Sequence, residues 1–174
     1  MLYPYSKQNI CENDEKKVLQ ALRNKFITQG PLNEEFQKNL KKLFNVRYAL
    51  VCNSGTAALH MAYISLGLGP KKGLITTPIT FVATANAAKM CNAPVGFADV
   101  DPTTGNITLE TIKMAIKKAS FEVKAICLVH LGGRPCNVSE IYIYAKKNNI
   151  KVIEDASHAP LAKYKGKKNL LFDV

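Results

Sequence analysis

From residue 14 to residue 26 apolar side chains recur at Val18, Leu19, Leu22 and Phe26, one side of a 3.6-residue period, and predict an amphipathic helix that begins near Asn13 or Asp14. The stretch 28–31, TQGP, breaks it, and a second helix is predicted from Asn33 as N-cap, with Phe36, Leu40, Leu43 and Phe44 on its inner side. Beyond residue 45 the rhythm changes. Short apolar runs at 48–52, 73–76, 94–100, 124–129 and 150–155 alternate with helical stretches at 56–66, 81–91, 109–118 and 138–148. Runs that are apolar at successive positions suit strands buried on both sides, so the pattern predicts an α/β fold with a mostly parallel sheet covered by helices. No internal repeat or low-complexity tract interrupts it.

Composition agrees with one domain of this kind: 174 residues, 47% hydrophobic and 21% charged, enough chain for a core. The formal charge of +11 raises the question of a polyanionic partner. Many of the lysines, such as Lys16, Lys17, Lys38, Lys41 and Lys42, lie on polar helix faces, and neither a basic stripe interleaved with aromatics nor a reading module occurs. Nucleic-acid binding is therefore not expected, whereas a phosphorylated small ligand suits the excess. The five cysteines are scattered without a C-x-x-C pair, and we expect reduced thiols and no metal site. The first residues lack a signal pattern, and no apolar run approaches the roughly 20 residues of a membrane span, so a soluble cytoplasmic protein is expected.

In parallel sheets ligands sit at the carboxyl ends of the strands, and three such ends carry chemistry here. The first run leads through Asn53, Ser54 and Gly55 into a helix of small residues. Glycine permits close approach of a ligand, and the helix start with the Ser54 and Thr56 hydroxyls offers an anion site; a plain helix cap is the other reading. The second leads through Thr80 to Phe81 and Thr84, where an aromatic ring could stack on a flat heterocycle or simply belong to the core. The third runs from a buried strand into Glu154 and Asp155, with His158 following. A buried carboxylate needs a partner, and a protonated pyridine nitrogen, a helix cap or a metal would each serve. His130 closes the strand before it and stays unassigned.

A phosphate cradle, a stacking ring and a pyridine counter-ion in this order resemble the DegT-type nucleotide-sugar aminotransferases, through ITQGP, VCNSGTAALHMA, ITTPITFVATANA, ADVDPTTGNI, VHLGGRPC and VIEDASHA. Within that family TTPITFVATANAA and EDASHA followed by YKGKK resemble the branch that aminates C4 of a UDP-linked 4-keto-6-deoxy-N-acetyl hexose on the route to pseudaminic acid. The resemblance implies the large domain of type I, aspartate-aminotransferase-like pyridoxal-phosphate (PLP) enzymes, three-layered and truncated. A helical N-terminal segment at 1–45 would precede a partial cofactor-binding domain at 46–174.

By position, the resemblance makes Gly55 and Thr56 donors to the phosphate of pyridoxal 5′-phosphate, Phe81 the stacking ring and Asp155 the partner of the pyridine nitrogen. His158 would lie near the ring 3-hydroxyl, and Glu154 would pair locally. Tyr5, Lys25, Phe26, Ile27 and Thr28, with Gly55, match positions that line the nucleotide-sugar site. The implied partners are a nucleotide sugar, an amino donor, expected to be glutamate, and a second subunit in a homodimer. Three departures bear on the chemistry. Pro160 and Leu161 replace the usual apolar residue and glycine, and Leu131 and Gly132 replace Phe-Ala after His130. The family's S-x-H-x-x-K stretch, whose lysine forms the Schiff base, does not occur before the end at Val174. We therefore expect no turnover from the isolated chain, and keep open an inert or partner-dependent fragment and a sugar dehydratase of the same fold that uses pyridoxamine phosphate.

Overall fold

The computed structural model describes residues 7–165. The chain divides into two compact units, Met1–Val51 and Cys52–Val174. The first unit carries two helices, α1 (Glu12–Leu22) and α2 (Pro31–Phe44). Helix α1 starts slightly earlier than predicted, because the Asp14 carboxylate accepts the Cys11 N–H at 2.8 Å and closes the first turn. Helix α2 also starts before Asn33. Pro31 takes its first position, where a missing N–H costs nothing and the ring presets the helical φ. Asn45 ends it in the left-handed conformation, φ 51°. The predicted strand at 48–52 does not form. An apolar run becomes a strand only with a neighbour to complete its hydrogen bonds, and Tyr48 and Leu50 stand exposed.

The second unit alternates helix and strand. Its elements are α3 (Gly55–Ser65), β1 (Lys72–Thr76), α4 (Ala83–Met90), β2 (Val95–Phe97), α5 (Leu109–Lys118), β3 (Glu122–Val129), α6 (Val138–Lys147) and β4 (Lys151–Asp155). A short 3-10 turn, Leu131–Gly133, follows β3. All three strand pairs are parallel, in the order β2-β1-β3-β4, as the doubly apolar runs predict. Strand β2 is shorter than its predicted run, since pairing with β1 stops at Phe97.

Side chains alternate across this sheet. Leu74, Ala125, Cys127 and Ile153 pack toward Tyr63 of α3 and Ala87 and Ala88 of α4. Ile75, Ile126, Leu128 and Val152 pack toward Ile112 and Ala115 of α5 and Ile141 and Ala145 of α6. The unit is therefore three layers, with a core on each side of the sheet. Among the described residues no helix is long and apolar enough to cross a membrane.

Candidate functional site

The alternation along β4 decides what its two terminal carboxylates do. Asp155 lies on the α3/α4 face. Its Oδ1 accepts the Ser157 N–H at 3.1 Å and the Ser157 hydroxyl at 2.6 Å, and its Oδ2 accepts the Thr84 hydroxyl at 3.4 Å. Thr84 in turn lies 2.9 Å, oxygen to oxygen, from the Thr80 hydroxyl. Below this group the buried Tyr63 hydroxyl donates to the Thr84 carbonyl at 3.0 Å. Burial, with the Cys127 thiol next and the Asp155 charge adding in the same direction, raises the Tyr63 hydroxyl well above the usual range. Burial likewise pushes the Cys127 thiol up to about 12. The layer supporting Asp155 therefore contributes a neutral phenol and a neutral thiol at ordinary pH.

The start of α3 reaches the same place. Ser54 is its N-cap, accepting the Ala57 N–H at 3.1 Å, so the capping role weighed for Ser54 is real. The Gly55 and Thr56 N–H groups, being in the first turn, have no intrahelical acceptor and point out of the helix end. A Cβ placed on Gly55 would stand 4.0 Å from the Ser157 hydroxyl. The helix start and the Asp155–Ser157 turn thus line one space, with positive partial charge on one wall and a carboxylate on the other.

Phe81 stands at the entrance to α4 and is 74% exposed. It does not open the helix, as predicted; the helix begins at Ala83, and the Phe81 carbonyl accepts the Thr84 N–H at 3.1 Å in the turn before it. Its ring is therefore free to meet a ligand instead of filling the core. His158 is also exposed, and its Nδ1 accepts the Gly132 N–H at 3.4 Å.

Glu154 faces the other way. Its carboxylate accepts the Tyr142 hydroxyl at 2.8 Å and meets His130 Nε2 at 2.8 Å, on the side covered by α6. His130 Nδ1 accepts the Cys136 N–H at 3.1 Å. His130 and Glu154 form a packed network behind the sheet and do not line the space bounded by Asp155 and Gly55.

Four predicted residues, Gly55, Thr56, Phe81 and Asp155, thus belong to elements that meet on the α3/α4 face, with His158 on the turn that follows. Lys25, Phe26, Ile27 and Thr28 belong to the first unit, between α1 and α2, where the Lys25 ammonium stands 5.6 Å from the Phe26 ring centroid. Tyr5 lies outside the described residues. Sequence reasoning passed over Ser157. The Asp-x-Ser spacing, which lets one carboxylate accept both the N–H and the hydroxyl two residues on, is the signal that would have found it.

The chain is similar to known proteins over nearly its whole length. The model of the DegT/DnrJ/EryC1/StrS aminotransferase family matches residues 8–170. A UDP-4-amino-4,6-dideoxy-N-acetyl-beta-L-altrosamine transaminase from Campylobacter jejuni is 43% identical over 164 residues, covering 94% of this chain and 43% of that protein. The structure of a Helicobacter pylori aminotransferase involved in the biosynthesis of pseudoaminic acid superposes with a TM-score of 0.85 at 33% identity, over 95% of this chain and 44% of the other. An aminotransferase from Psychrobacter cryohalolentis gives 0.83 at 32% identity, over 95% and 42%. The chain spans less than half the length of each of these relatives.

Proposed function

Because the chain belongs to the DegT/DnrJ/EryC1/StrS aminotransferase family, we propose that its second unit grips pyridoxal 5′-phosphate for amino transfer between an amino acid and a nucleotide-linked keto sugar. One observation carries this reading: the N-terminal end of α3 and the Asp155 carboxylate bound a common space through Ser157. A ligand with a phosphate at one end and a protonated ring nitrogen at the other matches both walls. The residues therefore fit the cofactor.

Gly55 and Thr56 bind the phosphate with main-chain N–H groups, Phe81 covers a ring face, and Asp155 holds the proton on the ring nitrogen. His158 donates from Nε2 toward the ring's 3-oxygen. When bound, the cofactor supplies an electron sink that makes the Cα proton of an amino acid removable. Asp155 maintains that capacity by stabilising the ring's positive charge, and the neutral Tyr63 and Cys127 beneath it leave that charge uncontested.

For the substrate, the name of the Campylobacter relative, a UDP-4-amino-4,6-dideoxy-N-acetyl-beta-L-altrosamine transaminase, supports a UDP-linked 4-keto-6-deoxy amino sugar; glutamate as donor and a homodimer as the working assembly are part of our reading. Lys25, Phe26, Ile27 and Thr28, with Tyr5, would contact the nucleotide sugar, and the two exposed apolar side chains Phe26 and Ile27 suit a base or sugar face.

Pyridoxamine 5′-phosphate has no aldehyde and tests the grip without a covalent bond. Calorimetric titration of the protein should show saturable binding that inorganic phosphate competes away. Asp155→Ala and Gly55→Val should each weaken it by about tenfold or more, the first by removing the ring-nitrogen partner and the second by filling the anion site. Absence of binding, or variants that bind like the parent, would refute the assignment.

A further inference from the structure

Resting on that reading of Asp155, the geometry points to Thr84 and Ser157 as positioning residues that commit the two carboxylate oxygens to different tasks, leaving Oδ2 to receive the ligand N–H. Each carboxylate oxygen has two lone-pair directions. Both at Oδ1 are taken, by the Ser157 N–H at 3.1 Å and the Ser157 hydroxyl at 2.6 Å. Among the described residues Oδ2 has a single long contact, the Thr84 hydroxyl at 3.4 Å, and keeps a direction open.

The donor at Oδ2 is itself held in place. Thr84 is fully buried, so its hydroxyl cannot turn to water. A carboxylate only accepts, so the Thr84 hydrogen goes to Oδ2, and the 2.9 Å contact with Thr80 must then be donated by Thr80. The Thr84 carbonyl is fastened by Tyr63 at 3.0 Å. A chain from Thr80 through Thr84 to Oδ2 thus runs from the turn that carries Phe81 to the carboxylate. One small element sets the orientation of Asp155 and also carries the exposed ring.

Loss of either hydroxyl lets the carboxylate rotate, so that Oδ2 is no longer held in line with the ring nitrogen. The test uses pyridoxamine 5′-phosphate labelled with 15N in its ring, titrated into the full chain and its Thr84→Val, Thr84→Ser, Ser157→Ala and Asp155→Ala variants. Thr84→Val and Ser157→Ala should lose affinity by about three- to tenfold, the worth of one hydrogen bond of ordinary strength. The bound ring-nitrogen shift should move toward that of unprotonated pyridine, and Thr84→Ser, which keeps the hydroxyl, should restore both. A purely structural role would lower stability without moving the nitrogen shift at saturation. Ser157 is exposed, so its variant decides the matter even if Thr84→Val does not fold. Wild-type affinity and shift in Ser157→Ala and in any folded Thr84→Val, with Asp155→Ala impaired, would overturn the inference and leave the cofactor reading standing. Failure of the parent chain to bind would overturn both.

Discussion

The Nε2 nitrogen of His130 lies 2.8 Å from a carboxylate oxygen of Glu154, inside the layer that α6 closes. The other ring nitrogen, Nδ1, accepts a main-chain N–H from Cys136 at 3.1 Å, so it carries no proton. The ring is therefore the neutral Nε2–H tautomer, and it donates to Glu154 as a hydrogen bond to a charged group and not as an ion pair. With the Tyr142 hydroxyl at 2.8 Å, two neutral donors satisfy one buried carboxylate.

This network ties together the end of β3, the loop to α6, α6 and β4, and its loss should appear as lost stability. Glu154→Ala strands both donors and should cost about 3 kcal/mol in urea unfolding, while Tyr142→Phe removes one bond and should cost about 1 kcal/mol. Because Glu154 faces away from Gly55 and Asp155, a folded Tyr142→Phe protein should keep the parent affinity for pyridoxamine 5′-phosphate. A Glu154→Ala protein as stable as the parent would contradict the assignment.

Gly73 in β1 leaves no room for a side chain. A Cβ there would meet the Pro94 carbonyl oxygen at 2.5 Å and also strike the Phe121 ring. The ring could give way but the main-chain carbonyl could not, since the next residue, Leu74, donates its N–H to that same oxygen at 3.0 Å. Gly73→Ala should lose about 2–3 kcal/mol, and adding Phe121→Ala should not restore it. Rescue by the second substitution would place the conflict on the ring instead.

The buried thiols give a pH dependence with a definite sign. Burial pushes both Cys127 and Cys136 from 9.0 up to about 12, with the Glu154 charge adding to the effect at Cys136. A group whose folded value is raised contributes stability that is fully present below its unfolded value. Their contribution should therefore be complete below about pH 9 and disappear progressively between pH 9 and 12. Urea unfolding at pH 10.5 should show a loss on the order of 1–2 kcal/mol per thiol relative to pH 7.5. At pH 8 iodoacetamide should label the exposed Cys11 and Cys52 well before Cys127 and Cys136. Equal labelling of all four would refute the burial.

Much of this architecture is legible in one dimension. A period of 3.6 marks the helices and continuous apolar runs mark β1, β3 and β4, because a strand covered on both faces needs apolar residues at every position. The glycine after Ser54 and the second of the carboxylates closing 150–155, singled out in one dimension, lie on segments that meet on the α3/α4 face. Tertiary structure alone decided three matters. It denied a strand to 48–52, because ladder partners are not encoded in a run. It separated Glu154 from Asp155, which as neighbours look equivalent but point to opposite sides of the sheet. It also brought Thr84 and Gly55 to the Asp155–Ser157 turn, residues far apart along the chain whose meeting depends on the sheet order β2-β1-β3-β4. Local pattern records what each segment can bury, whereas the partner across a sheet is chosen by the packing of the whole.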